Sequence, residues 1–532
     1  MSTLNSAGPA GPVGPTASSA AGVVGRLAWG AAIAVAVAVV LLSVNAPLVA
    51  GAGVETGDFA ANTLLILDAK SFGLLTGNYS RVGFNHPGPA ILYVLAAGEA
   101  VIHDRLGLVS SPFAGQLVAV SLYATIWIVL IFRVLCRAFE DTAPAALATA
   151  VFTLCIAMLD GQTLNGPWFP HLYVCPFAAF VVAISRLVHG RTDSLGTLAV
   201  SAGFLVNGHA SFGVVMLVMG LTVLAANTVL ETDRGSGTRI ASRRFWGANL
   251  TRLAVAGALL FVFFIPLLIL TVRAFPGPVM DYLNFGAHRK SNGILASLRF
   301  IWFFWGGPVP FVVGAVIALP ALVLLGRRSD LDGFTRGANG LIAAFVAAFL
   351  AMLTYARHGV DMIELQYIGY FYYAVPALAA GLAAACLLKL VRSRLRAAVA
   401  LVAWVFCLAG VHRAMAQPGD YVVEYNAPGV VDIYRAVKPL AAAGRIVLDL
   451  DGSNDWGYVW GHVVGVQAYA KRRHEDLFCI DRSWHILFTR KALCTAAELA
   501  GHPRYTVRKA EPTPGGPPQV AVQGLVFTRT GP

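Results

Sequence analysis

About eleven apolar runs, many of them near the roughly 20 residues a helix needs to cross hydrocarbon, divide this chain and leave it few ways to fold. They sit near 27–50, 113–135, 143–160, 168–188, 194–207, 211–230, 253–274, 301–325, 338–355, 370–390 and 396–413. Inside a bilayer every backbone N–H and C=O must find an internal partner, so runs of this length become helices. The expected fold is mainly α, a polytopic membrane bundle of about eleven spans. Composition agrees: of 532 residues 57% are hydrophobic and only 12% charged. A soluble domain could not cover that much apolar surface.

The net charge of +12 is spread in short clusters between the runs, not gathered into the basic face that nucleic acid needs. Arg133 and Arg137, Arg186 and Arg191, Arg234 through Arg244, Arg327 and Arg328, and Lys389 through Arg396 fall in alternate loops. Cytoplasmic loops are the ones enriched in Lys and Arg. That rule sets the N-terminus inside, and the first loop and the C-terminal region outside. Residues 1–22 are rich in Ser, Ala, Gly and Pro without periodicity and are expected to be a disordered cytoplasmic tail. The run at 27–50 is too long for a signal-peptide core and stays as the first span.

Two segments of the first loop are apolar without being spans. Counting 88–105, GPAILYVLAAGEAVIHDR, as a span would place every later basic cluster outside. It is therefore expected, with Phe59 to Lys70, to form helices along the outer membrane face. The bundle is expected over 23–413. From 414 to 532 the apolar runs shorten, and GRIVLDLDG and VAVQGLVFTR read as strands around helical patterns. These mark a small extracytoplasmic α/β domain. Cys136, Cys155, Cys175, Cys386 and Cys407 lie in or beside spans as buried apolar residues. Cys479 and Cys494 are the two cysteines of the C-terminal domain, and a disulfide between them suits an oxidising compartment.

Chemistry concentrates in the first loop, which reads ETGDFAANTLLILDAK and then LLTGNYSRVGFNHPGPAILY. Glu55 and Asp58 lie just past the first span, where acids remain only with partners or a task. A carboxylate there suits proton removal from an acceptor hydroxyl, and nearby cations suit a phosphate leaving group. Asp58 also stands where a helix N-cap would stand, and Asn62 would share its helical face. Asp68 is expected to pair with Arg81 or Lys70. Tyr79, Arg81 and His86 are candidate phosphate or substrate ligands, with the prolines after His86 stiffening the loop. Later loops add His209, the cluster His288, Arg289 and Lys290, and Arg357. Asp160, Gln162, Asn165, Trp168 and His171 form a further polar group between the third and fourth spans. Cations on the outer side break the positive-inside pattern, which favours a lipid-phosphate clamp at His288–Lys290.

IVLDLDGSN resembles the first motif of haloacid-dehalogenase phosphatases, but too little chain follows for that fold. No Walker loop, dinucleotide fingerprint or zinc spacing occurs.

An outward acid after the first span, a His-Pro element leading into a surface helix, and an outward C-terminal domain together resemble the GT-C superfamily of integral-membrane glycosyltransferases. The resemblance covers about 50 through 410 and is most specific in GDFAANTLLILDAK and GNYSRVGFNHPGPAILYVLA. It implies transfer of a hexosyl or pentosyl unit from a polyprenyl-phosphate donor to an extracytoplasmic glycan, lipid or protein, with inversion. Asp58 takes the place of the general base, and His86 and Pro87 that of the His-Pro element. Many relatives carry Asp and Glu side by side; here Phe59 follows Asp58, so Glu55 takes the second-carboxylate role only by proximity. The form resembles bacterial members near arabinofuranosyl and other pentosyl transferases, which implies a multi-pass protein of the bacterial inner membrane. No cofactor is expected: some relatives use a divalent metal, but this chain lacks a dense carboxylate cage. The alternative is a transporter or flippase of a lipid-linked sugar, which predicts internal repeats and mid-membrane ionisable groups. Neither is evident in the sequence.

Overall fold

The computed structural model describes residues 17–51, 53–231, 238–287, 290–306, 331–416, 426–451, 455–481, 485–510 and 519–531, with isolated positions between 306 and 331. Counting helices of eight residues or more, the chain begins with α1 (Ala17–Ala50), α2 (Gly57–Lys70) and α3 (Ala90–Ala97). α3 runs straight into a π-helical stretch, Gly98–Arg105. Then come α4 (Pro112–Phe139), α5 (Thr142–Leu159), α6 (Val174–Ser185), α7 (Leu195–Gly208) and α8 (Phe212–Leu230). They are followed by α9 (Arg243–Arg273), α10 (Pro278–Ala287), α11 (Ile294–Phe304), α12 (Asp332–His358), α13 (Ala374–Leu390) and α14 (Ser393–Met415). Among the described residues nine helical stretches are long and apolar enough to cross a membrane, α6 and α13 as parts of the longer stretches Phe169–His189 and Gln366–Leu390, and α7 and α11 are shorter apolar helices. The chain is a polytopic helical membrane protein. α1 starts at Ala17, and the candidate span within it runs Val24–Ala50. Residues 1–16 lie outside the described residues.

The bundle packs through small residues, as helices do where lipid gives no hydrophobic drive between them. A Cβ added at Gly381 of α13 would lie 2.5 Å from the Ala148 carbonyl oxygen of α5, so the two helices touch backbone to side. Phe132, Phe152, Phe177 and Tyr372 fill the interior and are fully buried.

The C-terminal unit holds α15 (Gly429–Val437), β1 (Ile446–Leu450), α16 (Trp456–Lys471), β2 (Phe478–Ile480), β3 (Arg504–Lys509), β4 (Gln519–Val522) and β5 (Leu525–Arg529). Its sheet runs β2-β1-β3-β5-β4. β1 is parallel to β2 and β3, while β5 is antiparallel to β3 and β4. The hydrophobic run of β1 suits a strand covered on both faces. Asp449 of the phosphatase-like stretch is paired with Arg504 at 2.9 Å. Cys479 and Cys494 form a disulfide.

α2 is the joint between the two parts. Leu65, Ile66 and Ala69 belong to the core of the bundle. Ala60, Ala61 and Leu64 belong to the core of the C-terminal unit, against Val459, Val463 and Val464 of α16. From Phe59 through Ile66 every residue is buried, so α2 is covered by protein on both sides where a membrane-surface helix would leave one face in lipid. The pairing expected for Asp68 also differs: it meets Lys491 of the C-terminal unit at 2.5 Å. Lys70 instead pairs with Glu99 and Asp104, and Arg81 with Asp361.

Candidate active site

The chain turns into α2 at Gly57, whose φ of 54° suits glycine. Thr56 is the N-cap, so Asp58 is not the cap but a residue of the first turn. There the helix dipole favours its negative charge. Both carboxylate oxygens accept hydrogen bonds: Oδ1 from the Tyr79 hydroxyl and Oδ2 from the Trp168 indole N–H at 2.9 Å. Two donors on two oxygens fix the plane of the carboxylate and leave lone pairs on each oxygen for a further proton.

Tyr79 is delivered by a tight hairpin. The Gly77 N–H donates to the His86 carbonyl and the His86 N–H to the Asn78 carbonyl, each at 2.9 Å. The Ser80 N–H donates to the Phe84 carbonyl at 2.8 Å. After the hairpin, the Gly88 N–H donates to the Asn207 carbonyl at 3.0 Å. A Cβ at Gly88 would lie 2.2 Å from Asn207 Oδ1, so only glycine lets the loop sit this close to the end of α7.

That docking brings His86 against His209, ring centroids 4.4 Å apart. His86 is 6% exposed, and its Nδ1 has no hydrogen-bond partner among the described residues. Burial first, and then the neighbouring His209, push the His86 pKa well down. Burial pushes His209 down to about 4, against a weaker upward pull from Asp361. Both rings are therefore neutral at pH 7 and offer directional N–H and lone-pair contacts without charge. Linkage gives a sign. The unfolded state takes up protons below about 6.5, whereas the folded state does so only near its depressed pKa values. Stability from the pair is thus present above 6.5 and lost as pH falls from 6.5 towards 4. The thermal midpoint should drop over that window, and His209→Gln should flatten the drop; an unchanged slope would refute the assignment.

An aromatic wall continues from Trp168. Its ring lies 5.2 Å from Tyr367 and 5.5 Å from His171. His171 in turn stacks on Tyr370 at 5.3 Å and 16°. The His171 Nε2 is hydrogen-bonded to Asp160 Oδ2 at 2.9 Å. Burial raises the Asp160 pKa, but the His171 contact and the Gln162 N–H outweigh it and hold the carboxyl below its usual range. Tyr367 feels the charges of both Asp58 and Arg81, which puts the Arg81–Asp361 pair beside the same wall.

Glu55 faces elsewhere. It is 6% exposed and accepts from Thr63 at 3.1 Å and from Arg472 at 2.6 Å. Arg472 also reaches the fully buried Glu99 at 2.5 Å, which is further held by Lys70 at 2.9 Å and Gln116 at 3.1 Å. Phe59, where a second carboxylate would follow Asp58, packs edge-on against Phe113 at 5.9 Å. The last turn of α12 holds Arg357, whose carbonyl accepts from the Asn292 N–H at 2.8 Å and whose Nε is buried without a partner among the described residues. Lys290 is exposed; His288 and Arg289 lie outside the described residues. Among the described residues, no three His, Cys, Asp or Glu side chains gather to hold a metal ion.

Structure thus brings Asp58 and Tyr79 into contact, and His86 onto His209, while Glu55 turns to the C-terminal unit. Trp168 was legible only as one polar residue of its loop; its bond to Asp58 needed the fold. Glu99 carried a signal, a lone acid in an apolar stretch. Arg472, within the charge run KRRHED, carried none.

No family model and no curated protein matches this chain. Solved structures do. ArnT from Cupriavidus metallidurans, bound to undecaprenyl phosphate, aligns over 91% of this chain and 93% of its own, with 12% identity and a TM-score of 0.54. The Archaeoglobus fulgidus oligosaccharyltransferase in complex with zinc and sulfate aligns over 82% of this chain and 61% of its own, with 14% identity and a TM-score of 0.43. The likeness to ArnT is one of fold: nearly the whole of each chain follows the same path.

Proposed function

We propose that this protein is a membrane glycosyltransferase that moves a sugar from a polyprenyl-phosphate donor to an acceptor hydroxyl, with Asp58 as general base. The observation that carries the reading is the Asp58 carboxylate, held by Tyr79 and Trp168 at the start of α2, on a fold shared with ArnT. The undecaprenyl phosphate bound by ArnT supports the donor class.

In this reading Asp58 takes the acceptor's hydroxyl proton as that oxygen attacks the anomeric carbon. The bond from that carbon to the phosphate oxygen breaks on the opposite face, and polyprenyl phosphate leaves with the electron pair. The product has inverted configuration. Neutral His86 and His209 donate hydrogen bonds to the phosphate. Arg81 exchanges Asp361 for it, and Arg357 and the His288–Lys290 segment add positive charge. Glu55 serves the site by holding its segment in place. The site lies on the extracytoplasmic side of a bacterial inner membrane, where the Cys479–Cys494 disulfide is at home and the acceptor is a glycan, lipid or protein. The C-terminal unit, 414–532, stands on that side.

Membranes containing the protein, fed a panel of radiolabelled polyprenyl-phosphate hexoses and pentoses, test this directly. Label passing from one donor to an acceptor is the expected result, and it names the sugar. No transfer from any donor, with lipid-linked sugar still crossing the bilayer, would overturn it in favour of a transporter.

A further inference from the structure

The segment that delivers Asp58 is gripped by the C-terminal unit. Val54 bridges Asn426, and its carbonyl accepts the Ala427 N–H at 3.1 Å. Beyond it the strand-like stretch 54–57 lies across α16. Gly461 and Gly465, four apart and so on one helix face, leave room for it. A Cβ at Gly461 would stand 3.6 Å from Gly57, in ordinary contact. A Cβ at Gly465 would stand 2.8 Å from the Glu55 carbonyl oxygen and 3.0 Å from the Val430 side chain, closer than atoms can pack. Arg472, two turns further along the same face, closes the grip. It reaches Glu55 at 2.6 Å, Thr63 at 3.4 Å and Glu99 at 2.5 Å. Its contacts therefore join the strap before Asp58, the helix after it and the π-helical stretch beside it.

We propose that Gly465 and Arg472 are positioning residues, and that α16 is the jig that sets the Asp58 carboxylate against Tyr79 and Trp168. The inference rests on the reading of Asp58 as the base. Only Gly57 separates the gripped residues from Asp58, and it lies alongside Gly461. A displacement of the strap therefore passes to the carboxylate with nothing between to absorb it. Misplacing a reacting group by about 1 Å costs on the order of 100-fold in rate, whereas donor binding to the His86–His209 and Arg81 side of the site is left in place. The effect falls on kcat.

The test compares the full-length wild type with Gly465→Val, Arg472→Gln and Arg472→Lys. It measures kcat and KM for the donor the panel identifies, and peptide-level hydrogen exchange over 54–63. Gly465→Val and Arg472→Gln should lower kcat on the order of 100-fold, leave the donor KM within about threefold, and raise exchange over 54–63, with Arg472→Gln also raising it over 98–105 through the loss of its Glu99 contact. Arg472→Lys, which keeps the charge, should recover part of the rate. If Gly465→Val does not fold, Gly465→Ala, whose single methyl would still stand 2.8 Å from the Glu55 carbonyl oxygen, should lower kcat severalfold with the same KM. Unchanged kcat in folded variants would overturn the proposal, as would a KM that rises in step with falling kcat. A wild type inactive with every donor would sink the glycosyltransferase reading. The exchange data would then decide the grip alone: protection lost over 54–63 supports it, and unchanged protection overturns it.

Discussion

Asp58→Asn is expected to abolish sugar transfer, lowering kcat by about 10²–10⁴, the usual worth of a positioned general base. That is about 3–5 kcal/mol on the barrier. The change is nearly isosteric, yet it acts twice. An amide cannot take the acceptor's proton, and with its oxygen kept on the donor-only Trp168 N–H its NH₂ faces Tyr79, whose hydroxyl must turn from donor to acceptor. Expression and donor binding should hold, because the hydrogen bonds described for Asp58 go to Tyr79 and Trp168 and not to the His86–His209 or Arg81–Asp361 pairs. Two companions give the comparison its force. Tyr79→Phe removes one donor and keeps the carboxylate, so it should cost about tenfold, the worth of one hydrogen bond to a charged group. Glu55→Gln alters a neighbouring acid engaged with Arg472 and should affect stability more than chemistry. Equal transfer by wild type and Asp58→Asn, measured with the same donor at matched expression, would remove Asp58 as the base. Loss in Glu55→Gln as deep as in Asp58→Asn, with folding intact, would make Glu55 a second catalytic acid.

The parts of this architecture that hydrophobic length can specify were readable from the chain. Apolar runs gave the polytopic helical bundle, and the shortening of those runs after 414 marked the C-terminal sheet. Asp58 was readable because a carboxylate just past a span is costly without a reason. What sequence hid is where residues meet across long separations. Asp58 is bonded to Trp168, 110 positions away, and no local pattern specifies that pairing. Glu55 and Asp58 look equivalent as two acids three residues apart. The turn at Gly57 sends one to Arg472 and the other to Tyr79, so backbone geometry, not residue type, separates their surroundings. α2 was legible as a helix of the first loop, but its apolar faces read as membrane contact. They are instead divided between two protein cores, which composition cannot distinguish from lipid. The N-cap went to Thr56, since the helix starts at Gly57, which takes the positive φ, two residues earlier than an Asp58 cap would start it.

Glu99→Ala is expected to be the most destabilising single change outside the candidate site, by about 3–5 kcal/mol, the cost of breaking a buried ion pair by removing one partner. Glu99 has no exposed surface and is touched by Lys70, Arg472 and Gln116. Its removal leaves two cations competing for Glu55 and Asp104, and Arg472 buried with half of its neutralising charge gone. Burial alone would raise the Glu99 pKa; Arg472 and then Lys70 overcome it and hold the carboxyl below its ordinary value. Because the folded pKa is depressed, this stabilisation is complete above about 4.5 and is lost as pH falls through the lower folded value. Wild type should therefore lose stability on acidification in a range where Glu99→Ala loses less. The double variant Glu99→Ala with Arg472→Ala separates pair energy from stranded charge. If most of the cost is Arg472 left unpartnered, removing it as well should restore part of the thermal midpoint, giving a coupling of about 0.5–3 kcal/mol. Strict additivity would mean that the two residues act independently. In that case the Glu99–Arg472 pair would add nothing to the apolar contacts of Ala60, Ala61 and Leu64 and the Asp68–Lys491 pair that also hold the C-terminal unit to α2.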